Sequence, residues 1–133
     1  MHLKYKTPHL ALFRRCRKLN EEIAQLRVVL PDPGVIAALE RVDPDSLPPE
    51  QSRMAKVILR DKAELTAKEA ELEEISTRAE KAAQQLSNGN LRRIVRLYCI
   101  DGMNFSSLEH SCACSRSTIT RWIYLLKNDE PSD

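Results

Sequence analysis

The chain has 133 residues, of which 42% are hydrophobic and only 5% aromatic, so it has room for one domain, or a small domain with an extended appendage, rather than a large enzyme core. Three glycines leave no Walker or dinucleotide phosphate loop, and no apolar run approaches the roughly 20 residues of a membrane span. A formal charge of +2 excludes neither an acidic nor a basic partner until its distribution is read.

Thr7-Pro8 supplies an N-cap and a first-turn proline, and the spacing predicts a helix to about Leu30. Within it Leu12, Cys16, Leu19, Ile23, Leu26 and Leu30 alternate four and three, a heptad seam. Pro31 and Pro33 end that helix, and Asp32-Pro33 caps a short one through Val35, Ile36, Leu39 and Val42. Residues 43–49 hold three prolines and read as a linker or an ordered crossover. From Pro49 to Leu86 there is no Gly or further Pro, which predicts one helix of roughly 55–60 Å. Its seam is Met54, Ile58, Asp61, Leu65, Lys68, Leu72, Ile75, Ala79, Ala82 and Leu86. Asp61 and Lys68 interrupt it, as polar residues that fix register or partner do. Two pairings fit this seam. One is a homodimer through Met54, Ile58, Leu65, Leu72, Ile75 and Leu86. The other is a hairpin within one chain, with the first helix as partner. The first helix is only about half as long, so a hairpin leaves much of the second seam unpaired, and a homodimer is expected.

Ser87-Asn88-Gly89-Asn90 breaks the long helix and serves as a hinge. Leu91, Ile94, Val95, Leu97, Tyr98 and Ile100 then form an apolar helical pattern, with Arg92, Arg93 and Arg96 outside it. Asp101-Gly102 stops this helix, because Gly adopts the left-handed conformation after a C-terminus. Asn104 or Ser106 caps the next, which carries Phe105, Leu108 and Cys112 inward. After a tight turn through Ala113-Cys114, Ser115 is a good N-cap for a last helix. Ile119, Trp122 and Ile123 or Leu126 make its apolar face, which marks Trp122 as core rather than a base-stacking ring. Arg116, Ser117, Thr120, Arg121 and Tyr124 occupy the other face, which holds two guanidinium groups and no carboxylate. Such a face suits a DNA major groove, where Arg reads guanine and Ser or Thr reaches a base or a phosphate.

Residues 91–105 (LRRIVRLYCIDGMNF) followed by 114–122 (CSRSTITRW) resemble the sigma-factor region-four type of helix-turn-helix. They are most similar to the small phage-encoded ArpU/RinA-type transcriptional regulators, whose domain has a similar "Leu-x-Tyr-x-x-Gly-x-x-(aromatic)" run and then "Ser-x-x-Thr-(Val/Ile)-x-Arg". The close resemblance covers about a third of the chain. It implies a three-helix DNA-binding unit and a role in transcription, in a phage or prophage. One position departs from the pattern: Glu109 stands where such motifs usually hold Ala or Gly. Either Glu109 swings out as a capping-box partner of Ser106, or the register differs.

The charge distribution supports a nucleic-acid partner. Residues 1–20 carry six Lys/Arg and no acid, and residues 21–89 carry nine basic and fourteen acidic side chains. Residues 90–128 carry six basic and two acidic, and the last five add a net −3. A basic terminal module behind an acidic middle fits a DNA reader on a protein-facing stalk; ordinary solvated helix faces are the plainer alternative. Cys99, His110, Cys112 and Cys114 lack a Cys-x-x-Cys pair, and their spacing favours structural thiols over zinc. Four irregularly spaced cysteines, and an N-terminus without a leader's apolar stretch, lead to the expectation of a reduced, cytoplasmic protein. No acid/base or nucleophile arrangement emerges.

The sequence therefore predicts an all-α protein, with a coiled-coil or helical-hairpin stalk over residues 1–88 and a helix-turn-helix unit over 89–128. Base readout falls to Arg116, Ser117, Thr120 and Arg121. Phosphate contacts fall to Arg92, Arg93, Arg96, Ser115, Tyr124 and Lys127. The expected partners are double-stranded DNA and a second copy of the chain, with no cofactor, no metal and no catalysis. Two other functions fit the same pattern: a small terminase-like DNA-packaging subunit, and a module that engages RNA polymerase or another host protein.

Overall fold

A computed structural model describes residues 9–112 and 115–127, apart from the side chains of Leu125 and Lys127. Every regular element among the described residues is helical, so the chain is all-α. In order these are α1 (Leu10–Val29), α2 (Pro33–Glu40), a 3-10 turn (Pro44–Ser46), α3 (Pro49–Gln84), α4 (Gly89–Ile94), a π-helical turn (Val95–Ile100), α5 (Phe105–Ser111) and α6 (Arg116–Lys127).

Local side-chain chemistry sets most of the boundaries. Asp32 caps α2 by accepting from the Gly34 N–H at 3.1 Å, with Pro33 in the first turn. This helix stops at Glu40, so Val42 lies beyond it and stays exposed. Residues 43–49 are an ordered turn rather than a slack linker. Asp43 accepts from the Asp45 N–H at 3.0 Å, and the Ser46 hydroxyl donates to the Asp43 carbonyl at 2.6 Å. Asn88 accepts from the N–H groups of Asn90 and Leu91 and starts α4. The Thr7-Pro8 start expected for the first helix lies outside the described residues.

The chain divides into two compact units, and the division does not fall at residue 88. One unit gathers the described parts of Met1–Glu21 and Leu72–Asp133; the other is Glu22–Glu71. Helices α1 and α3 each contribute to both. The physical reason is size: about forty residues cannot bury enough apolar surface to stand alone. In the first unit Phe13, Cys16 and Leu19 of α1 and Ile75, Ala79, Ala82 and Ala83 of α3 therefore join the core of α4, α5 and α6. Phe13 is fully buried there while Leu12 is only half-buried, a rotation of one residue from the expected seam.

In the second unit the buried side chains are Ile23, Ile36, Ala55 and Leu65, drawn from all three of its helical segments. Lys68, the polar break in the α3 seam, meets Glu22 of α1 at 2.9 Å, and Arg27 meets Glu69 at 2.6 Å. The pairing of α1 and α3 is thus made within one chain. Of the six residues expected at a dimer seam, Leu65 and Ile75 are already buried, Ile58, Leu72 and Leu86 are half-buried, and Met54 is 65% exposed. Ala55 is buried in place of Met54. Both lie a helical step before Ile58, four residues in one case and three in the other, so the spacing alone does not choose between them.

Candidate nucleic-acid interface

Helix α6 is a two-faced cylinder. Ile119, Trp122, Ile123 and Leu126 are buried, which places Trp122 in the core as the periodicity implied. Ser115 starts the helix: its Oγ accepts from the Thr118 N–H at 3.3 Å and lies within 3.1 Å of the hydroxyls of Ser117 and Thr118. That oxygen is occupied by the helix itself, which leaves Ser115 less to offer a phosphate. Arg116, Ser117, Thr120, Arg121 and Tyr124 are exposed together, and the sequence of α6 contains no Asp or Glu. The Thr120 hydroxyl donates back to the Arg116 carbonyl at 2.9 Å, so only its lone pairs face outward. Arg121 makes no hydrogen bond or ion pair with another described residue.

Arg116 lies over α5. Its Nε lies 3.9 Å from Glu109 Oε2, and its guanidinium centre sits 5.8 Å from the centre of the Phe105 ring. This corrects the expectation for Glu109. Asn104, not Ser106, caps α5, accepting from the Ser107 N–H at 2.9 Å. Without Ser106 at the cap there is no capping box for Glu109 to complete, and its carboxylate turns toward the nearest cation instead.

What positions these helices comes from α1. The π-helical turn ends with carbonyls that have no partner within it, the usual condition of a helix C-terminus. Asn20 Nδ2 donates to the Cys99 carbonyl at 2.9 Å and to that of Ile100 at 3.1 Å. Arg17 donates to the carbonyls of Tyr98 and Met103, each at 3.1 Å, and lies 3.9 Å above the Tyr98 ring. Arg14 Nε donates to the Leu126 carbonyl at the end of α6, at 2.9 Å. Gly102 follows with φ +75°, and a Cβ there would stand 2.9 Å from Asn20 Cγ. In the sequence, Arg14 and Arg17 count only toward the six basic residues of positions 1–20, and Asn20 belongs to no motif. A polar amide one residue after the seam position Leu19, in mid-helix, was the available signal.

The arginines of α4 and the turn after it lie elsewhere on this unit. Arg92, Arg93 and Arg96 are exposed and line one cleft of about 450 Å³, together with Glu80, Ala83, Gln84, Gly89 and Asn90. Arg92 donates to the Leu86 carbonyl at 2.8 Å. Neither Arg93 nor Arg96 has a hydrogen bond or ion pair to another described residue. The side chain of Lys127 lies outside the described residues.

The thiols stand apart from this surface. Cys16, Cys99 and Cys112 are buried, and Cys114 lies outside the described residues. Burial pushes the Cys16 thiol up to about 11, against the pull of Arg78, and the Cys99 thiol up to about 12. Both are neutral and weakly nucleophilic near pH 7. Among the described residues no helix is long and apolar enough to cross a membrane. No protein-family model matches this chain, and neither a curated protein nor a solved structure shows significant similarity to it.

Proposed function

We propose that the chain is a sequence-specific DNA-binding protein that controls transcription, of the phage-encoded kind its C-terminal third resembles. The observation that carries this proposal is the outer face of α6, with Arg116, Ser117, Thr120 and Arg121 exposed side by side and no acid anywhere on the helix. In the proposed pose α5 and α6 act as a helix-turn-helix, and the first turns of α6 enter the major groove. The guanidinium forks of Arg116 and Arg121 then match the paired acceptors of guanine. Glu109 stands only at the edge of ion-pair range of Arg116, which stays exposed and open to a duplex. Tyr124 lies further along the same exposed side, toward the phosphate backbone. The chain acts by binding, not by catalysis, and needs no cofactor. A homodimer would place two such helices on a two-fold site; on α3 it would use the exposed Met54 and Val57 rather than the buried Leu65 and Ile75.

The test begins with selection of bound sequences from a random DNA pool, followed by binding to the selected and a random duplex at two salt concentrations. Arg116→Ala and Arg121→Ala should each cost about 1–3 kcal/mol on the selected duplex and relax preference at one base pair. Variants that bind both duplexes as wild type does would remove α6 from the recognition role. Failure of the wild type to bind any duplex at low salt would remove the DNA function. A protein partner such as RNA polymerase would then be the alternative. A ring-sized mass in solution would point to a DNA-packaging subunit.

A further inference from the structure

The cleft between the end of α3 and α4 is a cationic hollow whose arginines form no ion pair among the described residues. Three guanidinium groups and one carboxylate line it, a net charge of +2, and no ion pair joins Glu80 to any of the three. Arg92 is tethered by the Leu86 carbonyl at 2.8 Å, so its guanidinium is fixed in place. Arg93 and Arg96 have no partner among the described residues. The N–H groups of Asn90 and Leu91 are already taken by Asn88, so an anion here would be held by the side chains.

We propose that this cleft is a phosphate-binding site in which Arg93 and Arg96 close on the anion and Arg92 supplies a fixed third fork. Arg donor forks match phosphate oxygens in pairs. A net +2 balances the charge of about −1.5 to −2 on a phosphate monoester, whereas a lone carboxylate offers half of that. The volume of about 450 Å³ holds the phosphate together with part of what carries it. Two sources share this chemistry: a free phosphate or terminal nucleotide phosphate, and successive phosphodiesters of a bound strand. Only the second rests on the DNA-binding proposal. Glu80 is the opposing charge that keeps affinity moderate.

The test uses the full chain and inorganic pyrophosphate as probe, followed by calorimetry at constant ionic strength with glutamate as a carboxylate control. Wild type should bind pyrophosphate and not glutamate, Arg93→Gln/Arg96→Gln should weaken it at least tenfold, and Glu80→Gln should tighten it several-fold. In parallel, the salt dependence of duplex binding by Arg93→Gln/Arg96→Gln should flatten by about two charges. All three positions are exposed, and circular dichroism melts confirm that the variants fold. Flattening without pyrophosphate binding would keep the site and name the strand as its source. Pyrophosphate binding lost in the double variant, in a protein that binds no duplex, would keep the site and sink the DNA proposal. Normal salt dependence with no pyrophosphate binding, or equal binding of glutamate, overturns the site and leaves the DNA proposal standing.

Discussion

The two compact units are built from the same two long helices, yet different forces hold them. The first encloses an apolar core that includes Phe13, Leu19, Ile94, Leu108 and Ile119, all nearly free of solvent. Around that core, Arg14, Arg17 and Asn20 reach backbone carbonyls 79 to 112 residues away in sequence. The second unit buries four aliphatic side chains and leaves a cleft of about 420 Å³ beside Ile36 and Leu65. Its long-range polar contacts are exposed or half-exposed ion pairs, Lys68–Glu22, Arg27–Glu69 and Lys56–Asp45. Buried apolar area and bonds to otherwise unpaired carbonyls outweigh surface ion pairs, whose typical worth is about 0–1 kcal/mol. The first unit should therefore be the more stable, and the second should open first.

The largest expected effect tests the core contrast. Phe13→Ala should destabilise the first unit by about 3–5 kcal/mol, against about 2 kcal/mol for Ile36→Ala in the second, where the adjoining cleft already admits water. Native-state hydrogen exchange reads the two units separately. A loss under 1 kcal/mol for Phe13→Ala would mean that α1 is not part of the core. A smaller effect tests the carbonyl bonds. Asn20→Ala leaves the Cys99 and Ile100 carbonyls without their donor and should cost about 1–3 kcal/mol in chemical denaturation. Gly102→Ala forces a Cβ into the left-handed region, at about 1–2 kcal/mol. It also meets Asn20 Cγ and Oδ1 at 2.9 Å, so the double variant should cost less than the sum of the two. Strict additivity would separate the two positions. The smallest effect belongs to the second unit. Lys68→Ala should cost roughly 0.2–1 kcal/mol at low salt, and less in 1 M NaCl, where charges are screened within about 3 Å. A loss that salt does not reduce would assign Lys68 a packing role.

Much of the candidate site is legible in the sequence. Ser115 as a cap, Ile119 and Trp122 inward, and Arg116 and Arg121 outward all follow from signals within one or two turns of a helix. Glu109 departs from the motif, and its carboxylate faces Arg116. Its partner was not legible, because the turn between α5 and α6 brings the two together and no periodicity encodes a turn's path. The cleft at Arg92, Arg93 and Arg96 is half legible: the arginines fall outside the apolar pattern, but Glu80 and Gln84 come to line the same cleft only through the bend at Ser87-Asn88.

The sequence by itself determined that the chain is helical, where α2, α3 and α6 begin and which side of α6 is apolar. Caps, proline and three-four spacing act over a few residues and need no tertiary partner. Tertiary structure decided the rest. It drew the first half of α1 into the core of the C-terminal helices, made Arg14, Arg17 and Asn20 donors for distant carbonyls, and opened the end of the 91–100 helix into a π-helical turn. It also paired part of the α3 seam with α1 inside one chain, where the heptad pattern and the unequal helix lengths had favoured a partner copy. Periodicity states that a face must be covered. Which surface covers it depends on the free energy of the whole chain, and that sum is closed only when distant residues meet.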